Sequence, residues 1–176
     1  KVGVPFADLT SGHWIAIAAL AGLVARSTSG RGCHMDLSML DVQVSLLTIA
    51  AARLFALGED PERTGTEHPG RVPSAAFQCR DGGWIHISGS DQHWPQLCKV
   101  LELGHLASDE SLRSNAGRLA ARTRVMAALT EAIAARERAP LVAELIAADV
   151  PVGEVNTVRE VLDDPHVIAR KLQTSF

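Results

Sequence analysis

The sequence predicts a helix-rich α+β chain with a small antiparallel sheet. Three features carry this reading. The twelve residues Trp14 to Ala25 form an uninterrupted apolar run, and Ser38 to Gly58 is apolar nearly all round. Two short alternating runs then flank Asp81-Gly82-Gly83, a connection of hairpin length. The 176 residues are 47% hydrophobic and 21% charged, so a disordered chain is excluded as the main state.

The elements follow in order. Lys1 to Phe6 holds Pro5 and runs into Asp8-Leu9-Thr10-Ser11-Gly12, where Asp8, Thr10 or Ser11 can cap a helix reaching about Arg26. Its apolar run is shorter than the ~20 residues of a membrane span, so it reads as a buried helix. Ser27 to Gly32 is a turn cluster that stops it. Cys33-His34-Met35-Asp36-Leu37 alternates like a short strand, with His34 and Asp36 on one face. Ser38 and Asp41 resemble a capping box that opens a helix ending at Gly58. Apolar around most of its circumference, that helix needs packing on more than one side, between layers or at a subunit interface.

From Glu59 to Pro73 the periodicity vanishes while Pro61, Gly65, Pro69, Gly70 and Pro73 accumulate, which predicts a long loop. Ala76 to Arg80 and Trp84 to Ser88 form the hairpin. Short helices are predicted over Asp91 to Leu101 and Thr123 to Arg136, the latter with Met126, Leu129 and Ile133 on its inner stripe. Pro140 sits in the first turn of a helix through Ala148, with Leu141, Leu145 and Ile146 facing inward. Val152 to Val155 reads as a strand, Thr157 to Glu160 as a capping box, and Asp164-Pro165 as another helix start. Leu172 to Phe176 resembles the beginning of a further strand.

Composition narrows function by exclusion. A formal net charge of −3 offers no overall attraction for nucleic acid or anionic lipid. Three cysteines far apart, Cys33, Cys79 and Cys98, make neither a disulfide framework nor a zinc knuckle, and a reducing cytoplasm fits them. Phosphate-cradling glycine motifs and a G-x-S-x-G elbow are both absent from the sequence. His34 with Asp36 lacks a third ligand, so no metal site is expected. Two segments stand out. The loop Gly65-Thr66-Glu67-His68-Pro69-Gly70-Arg71 gathers an acid, a titratable ring and a guanidinium. In Ser88-Gly89-Ser90-Asp91 a strand ends and a helix begins, with Asp91 a candidate cap.

Seven motifs in register give these residues a family likeness. Ala7-Asp8-Leu9-Thr10-Ser11-Gly12 is followed by Thr28-Ser29-Gly30-Arg31-Gly32 and by Met35-Asp36-Leu37-Ser38-Met39-Leu40-Asp41. Then come Thr64-Gly65-Thr66-Glu67-His68-Pro69, Cys79-Arg80-Asp81-Gly82-Gly83-Trp84, Val150-Pro151-Val152-Gly153 and Asp164-Pro165. In this order the chain resembles the class III CoA-transferases, the family of formyl-CoA and carnitine CoA-transferases that also contains α-methylacyl-CoA racemases. The resemblance implies a longer polypeptide with a Rossmann-like large domain, a small domain and an interlocked homodimer. Residues 1–37 would end the large domain's N-terminal part, 38–58 would be the connecting helix, 59–170 the small domain, and 171–176 the start of the return to the large domain.

The activity so implied moves CoA from an acyl-CoA to a carboxylic acid through an enzyme aspartyl-CoA, with CoA thioester as substrate and no covalently bound cofactor. By the same resemblance the catalytic aspartate precedes Lys1, leaving no catalytic residue in the chain, and the fragment alone is inactive. The substrate-binding candidates are His68, Gly70, Arg71 and Asp91, expected to face the cleft, with Arg71 as the contact to the acceptor carboxylate. The competing reading for Arg71 is a surface bond to Glu67. Where the formyl-CoA enzyme's loop is glycine-rich, this chain has His68-Pro69-Gly70-Arg71, which implies a different acceptor. Asp91-Gln92-His93-Trp94 resembles the transferase rather than the racemase form. The racemase and a non-catalytic dimerising fragment stay as alternatives, and neither membrane nor nucleic acid is an expected partner.

Overall fold

A computed structural model describes residues 3–173. They belong to two compact units, Lys1–Arg63 and Thr64–Phe176. The first unit is helical: α1 (Phe6–Ser29), α2 (Met39–Ser45) and α3 (Thr48–Leu57).

In α1 the expected cap is not used. The helix starts at Phe6 behind Pro5 with no side-chain cap, so Asp8 falls inside the first turn, and the Thr10 hydroxyl donates back to the Phe6 carbonyl at 2.8 Å. A proline has no N–H to satisfy and presets a compatible φ, which is why the helix begins earlier than the polar residues suggest. It ends at Gly30, whose φ of 68° is the left-handed geometry a C-cap requires and a side chain resists. The burial expected of this helix is not supplied by the chain itself: Ser11 is the one buried residue of α1, while Leu20 and Val24 are 64% and 69% exposed. At 24 residues and a mean hydropathy of 1.3, α1 is also long and apolar enough to cross a membrane. The uninterrupted run underestimates it because Asp8, His13 and Arg26 interrupt the apolar residues and not the helix.

The segment Cys33 to Leu37 forms no strand among the described residues, because no second strand lies beside it to complete a ladder. It crosses α1 instead, at Gly22, where a β-carbon would collide with the end of the Met35 side chain. Ser38 caps α2 by accepting the Asp41 N–H at 3.0 Å. The single helix expected from Ser38 to Gly58 is broken, with α2 and α3 meeting at a 65° bend. Thr48, at φ 26°, interrupts the helical hydrogen-bond ladder there. Val42 is the buried apolar residue of this pair, so the two-sided packing expected for the stretch is not met within the described residues.

The second unit contains β1 (Ser74–Gln78), β2 (Trp84–Ser88) and β3 (Val152–Val155) in one antiparallel sheet of order β1-β2-β3. Register pairs Ala76 with His86 and Ile85 with Glu154. Around the sheet lie α4 (Trp94–Val100), α5 (Gly104–Ala107), a 3₁₀ turn (Glu110–Leu112), α6 (Asn115–Ala120), α7 (Arg122–Ala134), α8 (Arg138–Ala147), α9 (Val158–Leu162) and α10 (Pro165–Ala169). Alternation turns Ala75, Phe77, Ile85 and Ile87 into a core shared with Leu97, Val125, Leu129, Ile133, Leu141 and Leu145. Each large side chain buried this fully contributes roughly 1.5–3 kcal/mol.

β2, β3, α7, α8 and the Thr157/Glu160 capping box stand where the sequence puts them, whereas β1 runs two residues earlier than expected, Ser74–Gln78 instead of Ala76 to Arg80, because Ser74 pairs with Ser88 and Gln78 with Trp84 across the turn. Two inward positions differ. Val125 rather than Met126 is fully buried in α7, and Ile146 is 63% exposed because Leu141 and Leu145 already define the inner stripe of α8. The expected strand at Leu172 to Phe176 falls largely on residues 174–176, outside the described residues.

Candidate functional site

The loop leading into β1 is folded back on itself by its own backbone and side chains. Thr64 donates its hydroxyl to the Glu67 carbonyl at 2.7 Å, the Thr66 hydroxyl accepts the Ala76 N–H at 3.1 Å, and the His68 N–H reaches the Ser74 carbonyl at 2.8 Å. His68 Nδ1 accepts the Gly70 N–H at 3.0 Å, which assigns the proton of the neutral ring to Nε2. The loop's far end is tied to the end of β2 by a Gly89 N–H to Pro73 carbonyl bond of 3.0 Å.

Three side chains from the other side of the core hold this loop. Arg122 pairs with Glu67 at 2.7 Å and donates to the carbonyls of His68 and Pro69 at 3.0 and 2.8 Å. Asn115 donates Nδ2 to the Gly70 carbonyl and accepts the Val72 N–H on Oδ1, both at 3.0 Å. Arg118 is fully buried, with Nε on the Val72 carbonyl at 2.7 Å and Nη1 on the carbonyls of Leu112 and Arg113 at 2.8 and 3.1 Å. Its Nη2 meets the Asp91 carboxylate at 2.6 Å, and its guanidinium lies over the Trp94 ring, 5.0 Å from the centroid. A cation taken fully out of water is tolerated only when its donors and charge are matched, and here three carbonyls, one carboxylate and one aromatic face do so.

The four candidates are thereby placed. His68, Gly70 and Arg71 share one exposed stretch of loop. Asp91 does not cap α4: it opens the turn that leads to Trp94 and spends one oxygen on Arg118. That pairing joins Asp91 to the loop, because the same guanidinium holds the Val72 carbonyl. Arg71 does not bond Glu67, whose carboxylate is taken by Arg122, and its own guanidinium has no hydrogen-bond or ion-pair partner among the described residues. The sequence reading missed Asn115, Arg118 and Arg122 altogether. Asn115 and Arg118 lie three apart on α6 and Arg122 opens α7, and polar residues at such spacing ordinarily read as a solvated surface.

Other chemistry is limited. Burial pushes the Cys98 thiol up to about 11 and raises that of Cys79, so neither is a nucleophile near neutral pH. No group of three metal-ligating side chains occurs among the described residues. An open depression of about 350 Å³ is lined by Gln92, His93, Gln96, Ala148 and Asp149. Both ring nitrogens of His93 are engaged there, Nδ1 with Ser90 and Nε2 with Gln92, each at 3.0 Å.

A family model described as CoA-transferase family III matches residues 1–176. The chain is 31% identical to the succinate–glutarate CoA-transferase of Agrobacterium fabrum over 100% of its own length and 44% of that protein's. It is also 31% identical to the acetyl-CoA:oxalate CoA-transferase of Acetobacter aceti, over 97% of this chain and 44% of that one. The crystal structure of a CAIB/BAIF family protein from Brucella suis matches with a TM-score of 0.84 at 35% identity, over 99% of this chain and 46% of that one. The chain thus spans less than half the length of these relatives.

Proposed function

The chain belongs to CoA-transferase family III, and from that premise we propose that it serves an enzyme moving CoA from an acyl-CoA donor to a dicarboxylic acid. In this reading an enzyme carboxylate attacks the donor thioester, giving a mixed anhydride and CoA thiolate. The thiolate attacks the enzyme side of the anhydride, releasing the donor acid and leaving an aspartyl-CoA thioester. The acceptor carboxylate then repeats the two steps in reverse, so the enzyme carboxylate is regenerated and no water is consumed. Residues 1–37 end a large domain, 38–58 connect, 59–170 form the small domain and 171–176 start the return to the large domain. The protein acts in the cytoplasm as an interlocked homodimer whose other parts cover α1, α2 and α3. The 176 residues alone are inactive.

Arg71 carries the choice of acceptor. Its guanidinium has nothing to hold among the described residues, while those of Arg118 and Arg122, which hold the loop, are engaged. A second carboxylate on the acceptor gives it a counter-charge, and the fork of N–H donors orients that group. The relatives' names, with succinate, glutarate and oxalate, support acids of this kind. In a polypeptide of the relatives' length, Arg71→Ala raises the KM for glutarate roughly tenfold or more, a loss of about 1.4 kcal/mol, while donor acylation is unchanged. An unchanged KM assigns the acceptor to other residues.

The resemblance sets the nucleophile ahead of Lys1. Asp8 is a second candidate, favoured by one observation: it lies in a family motif, is exposed, and neither caps α1 nor pairs with a cation among the described residues. Capping, the ordinary reason for an aspartate there, is thereby removed. Asp8→Asn abolishes formation of a hydroxylamine-sensitive acyl enzyme if Asp8 is the nucleophile and leaves it intact if the nucleophile precedes Lys1.

A further inference from the structure

We propose that Asn115 is a positioning residue for Arg71, an inference that rests on the reading of Arg71 as an anion ligand. The observation is a bracket. One side-chain amide donates to the carbonyl of Gly70, the residue before Arg71, and accepts from the N–H of Val72, the residue after it, both at 3.0 Å. Orientation of the amide is fixed by this pair, since only its oxygen can accept the Val72 N–H.

Holding both flanking peptides of one residue restricts that residue's φ and ψ, and with them the direction in which its side chain leaves the backbone. The anchors on either side remove the remaining freedom. Arg118 takes the Val72 carbonyl, and Arg122 takes the carbonyls of His68 and Pro69. Arg71 is thus the free side chain on a backbone that is bound residue by residue. A long side chain on a mobile loop would lose more entropy on binding an anion than one whose origin is already set. Asn115 itself sits at the first position of α6, half-buried, where Ser114 caps the helix independently by accepting the Gly117 N–H. Removing the amide therefore leaves the helix start in place.

The test uses a polypeptide of the relatives' length and glutarate as probe, with both binding by calorimetry and CoA transfer measured. Asn115→Ala is expected to weaken glutarate binding by roughly tenfold, with the donor half-reaction unchanged and the cooperative unfolding transition retained at a modestly lower midpoint, since the buried Val72 N–H loses its acceptor. In an Arg71→Ala background the same substitution should cost nothing further, because the group it positions is gone. Asn115→Asp, which sets a carboxylate oxygen against the Gly70 carbonyl, should behave like Asn115→Ala or worse. The inference is overturned if Asn115→Ala leaves glutarate binding within twofold, if its cost is the same with and without Arg71, or if the unsubstituted protein does not bind glutarate. Glutarate binding that depends jointly on Arg71 and Asn115 in a protein without CoA transfer would sustain the bracket and remove the transferase reading instead.

Discussion

The two units use similar apolar material to opposite ends. In Thr64–Phe176, buried apolar side chains from the sheet, from α4, α5, α7 and α8 and from the connections between them close one core among the described residues. In Lys1–Arg63 most of the described apolar side chains other than Val42 stay out: Phe55 is 85% exposed, Leu40 71% and Ile49 63%. Hydrophobicity alone therefore does not make a core. A core needs elements arranged so that apolar faces close on one another, and three helices apolar on several sides cannot do that by themselves. An exposed apolar surface of this extent marks a surface that another part of a protein, or another copy, covers.

The sharpest test separates the units. Residues 64–173 should fold alone with a single cooperative thermal transition, since their core is internal. Residues 1–63 should show no cooperative transition and should associate at micromolar concentration. A monomeric, cooperatively melting 1–63 in sedimentation and calorimetry would break the comparison.

Within the second unit the largest single effect belongs to Arg118. Replacing it with Ala leaves the carbonyls of Val72, Leu112 and Arg113 without their donor and opens a cavity beside Trp94. The expected cost is about 3–5 kcal/mol, read from urea unfolding. Arg122→Ala, at a half-exposed site, should cost only about 1 kcal/mol. Similar losses for the two would mean that the buried guanidinium is not the loop's main anchor.

A matched pair of truncations measures the contrast between units directly. Leu129→Ala removes a fully buried side chain and should destabilise the 176-residue chain by about 2–5 kcal/mol. Phe55→Ala removes a larger but exposed one and should stay within about 0.5 kcal/mol. If Phe55→Ala costs as much as Leu129→Ala, the first unit is packed in solution in a way its exposure does not show.

What could be read from the sequence follows the same division. Elements of the second unit were legible because their signals are local: Asp81-Gly82-Gly83 forces a hairpin, Thr157 and Glu160 cap reciprocally, and period-2 alternation selects Ile85 and Ile87. In the first unit the stretch from Ser38 to Gly58 reads as one helix because nothing in its composition marks Thr48 as a break. Cys33 to Leu37 alternates like a strand, yet a strand exists only with a partner, which a local pattern cannot supply. His68 and Arg71 drew attention to the loop from the sequence, and the residues that support it did not. Asn115, Arg118 and Arg122 act on residues 43 to 55 positions away, and polar residues spread over two short helices do not say what they face.

The smallest effect is a pH dependence, and it belongs to the second unit. Three of its carboxyls are held below their ordinary values. Glu160 is brought down to about 2 from an ordinary 4.5, by the Thr157 backbone N–H and then by Arg138. Asp81 is lowered chiefly by the Arg138 backbone N–H, and Asp109 by the Ser111 hydroxyl and Arg124. A carboxyl that is more acidic folded than unfolded favours the folded chain only while it is ionised in the fold. Its contribution is therefore complete above the ordinary carboxylate range and disappears as pH falls through that range toward 2. All three are solvent-accessible, so each effect is modest and is screened by salt. Thermal midpoints of the 64–173 fragment should stay level from pH 7 to about pH 5 and then fall. Glu160→Gln should lower the midpoint at pH 7 and converge on the unsubstituted fragment toward pH 2. A constant gap between the two over the whole range would show that Glu160 acts as a neutral cap on α9, with the Arg138 pair contributing nothing.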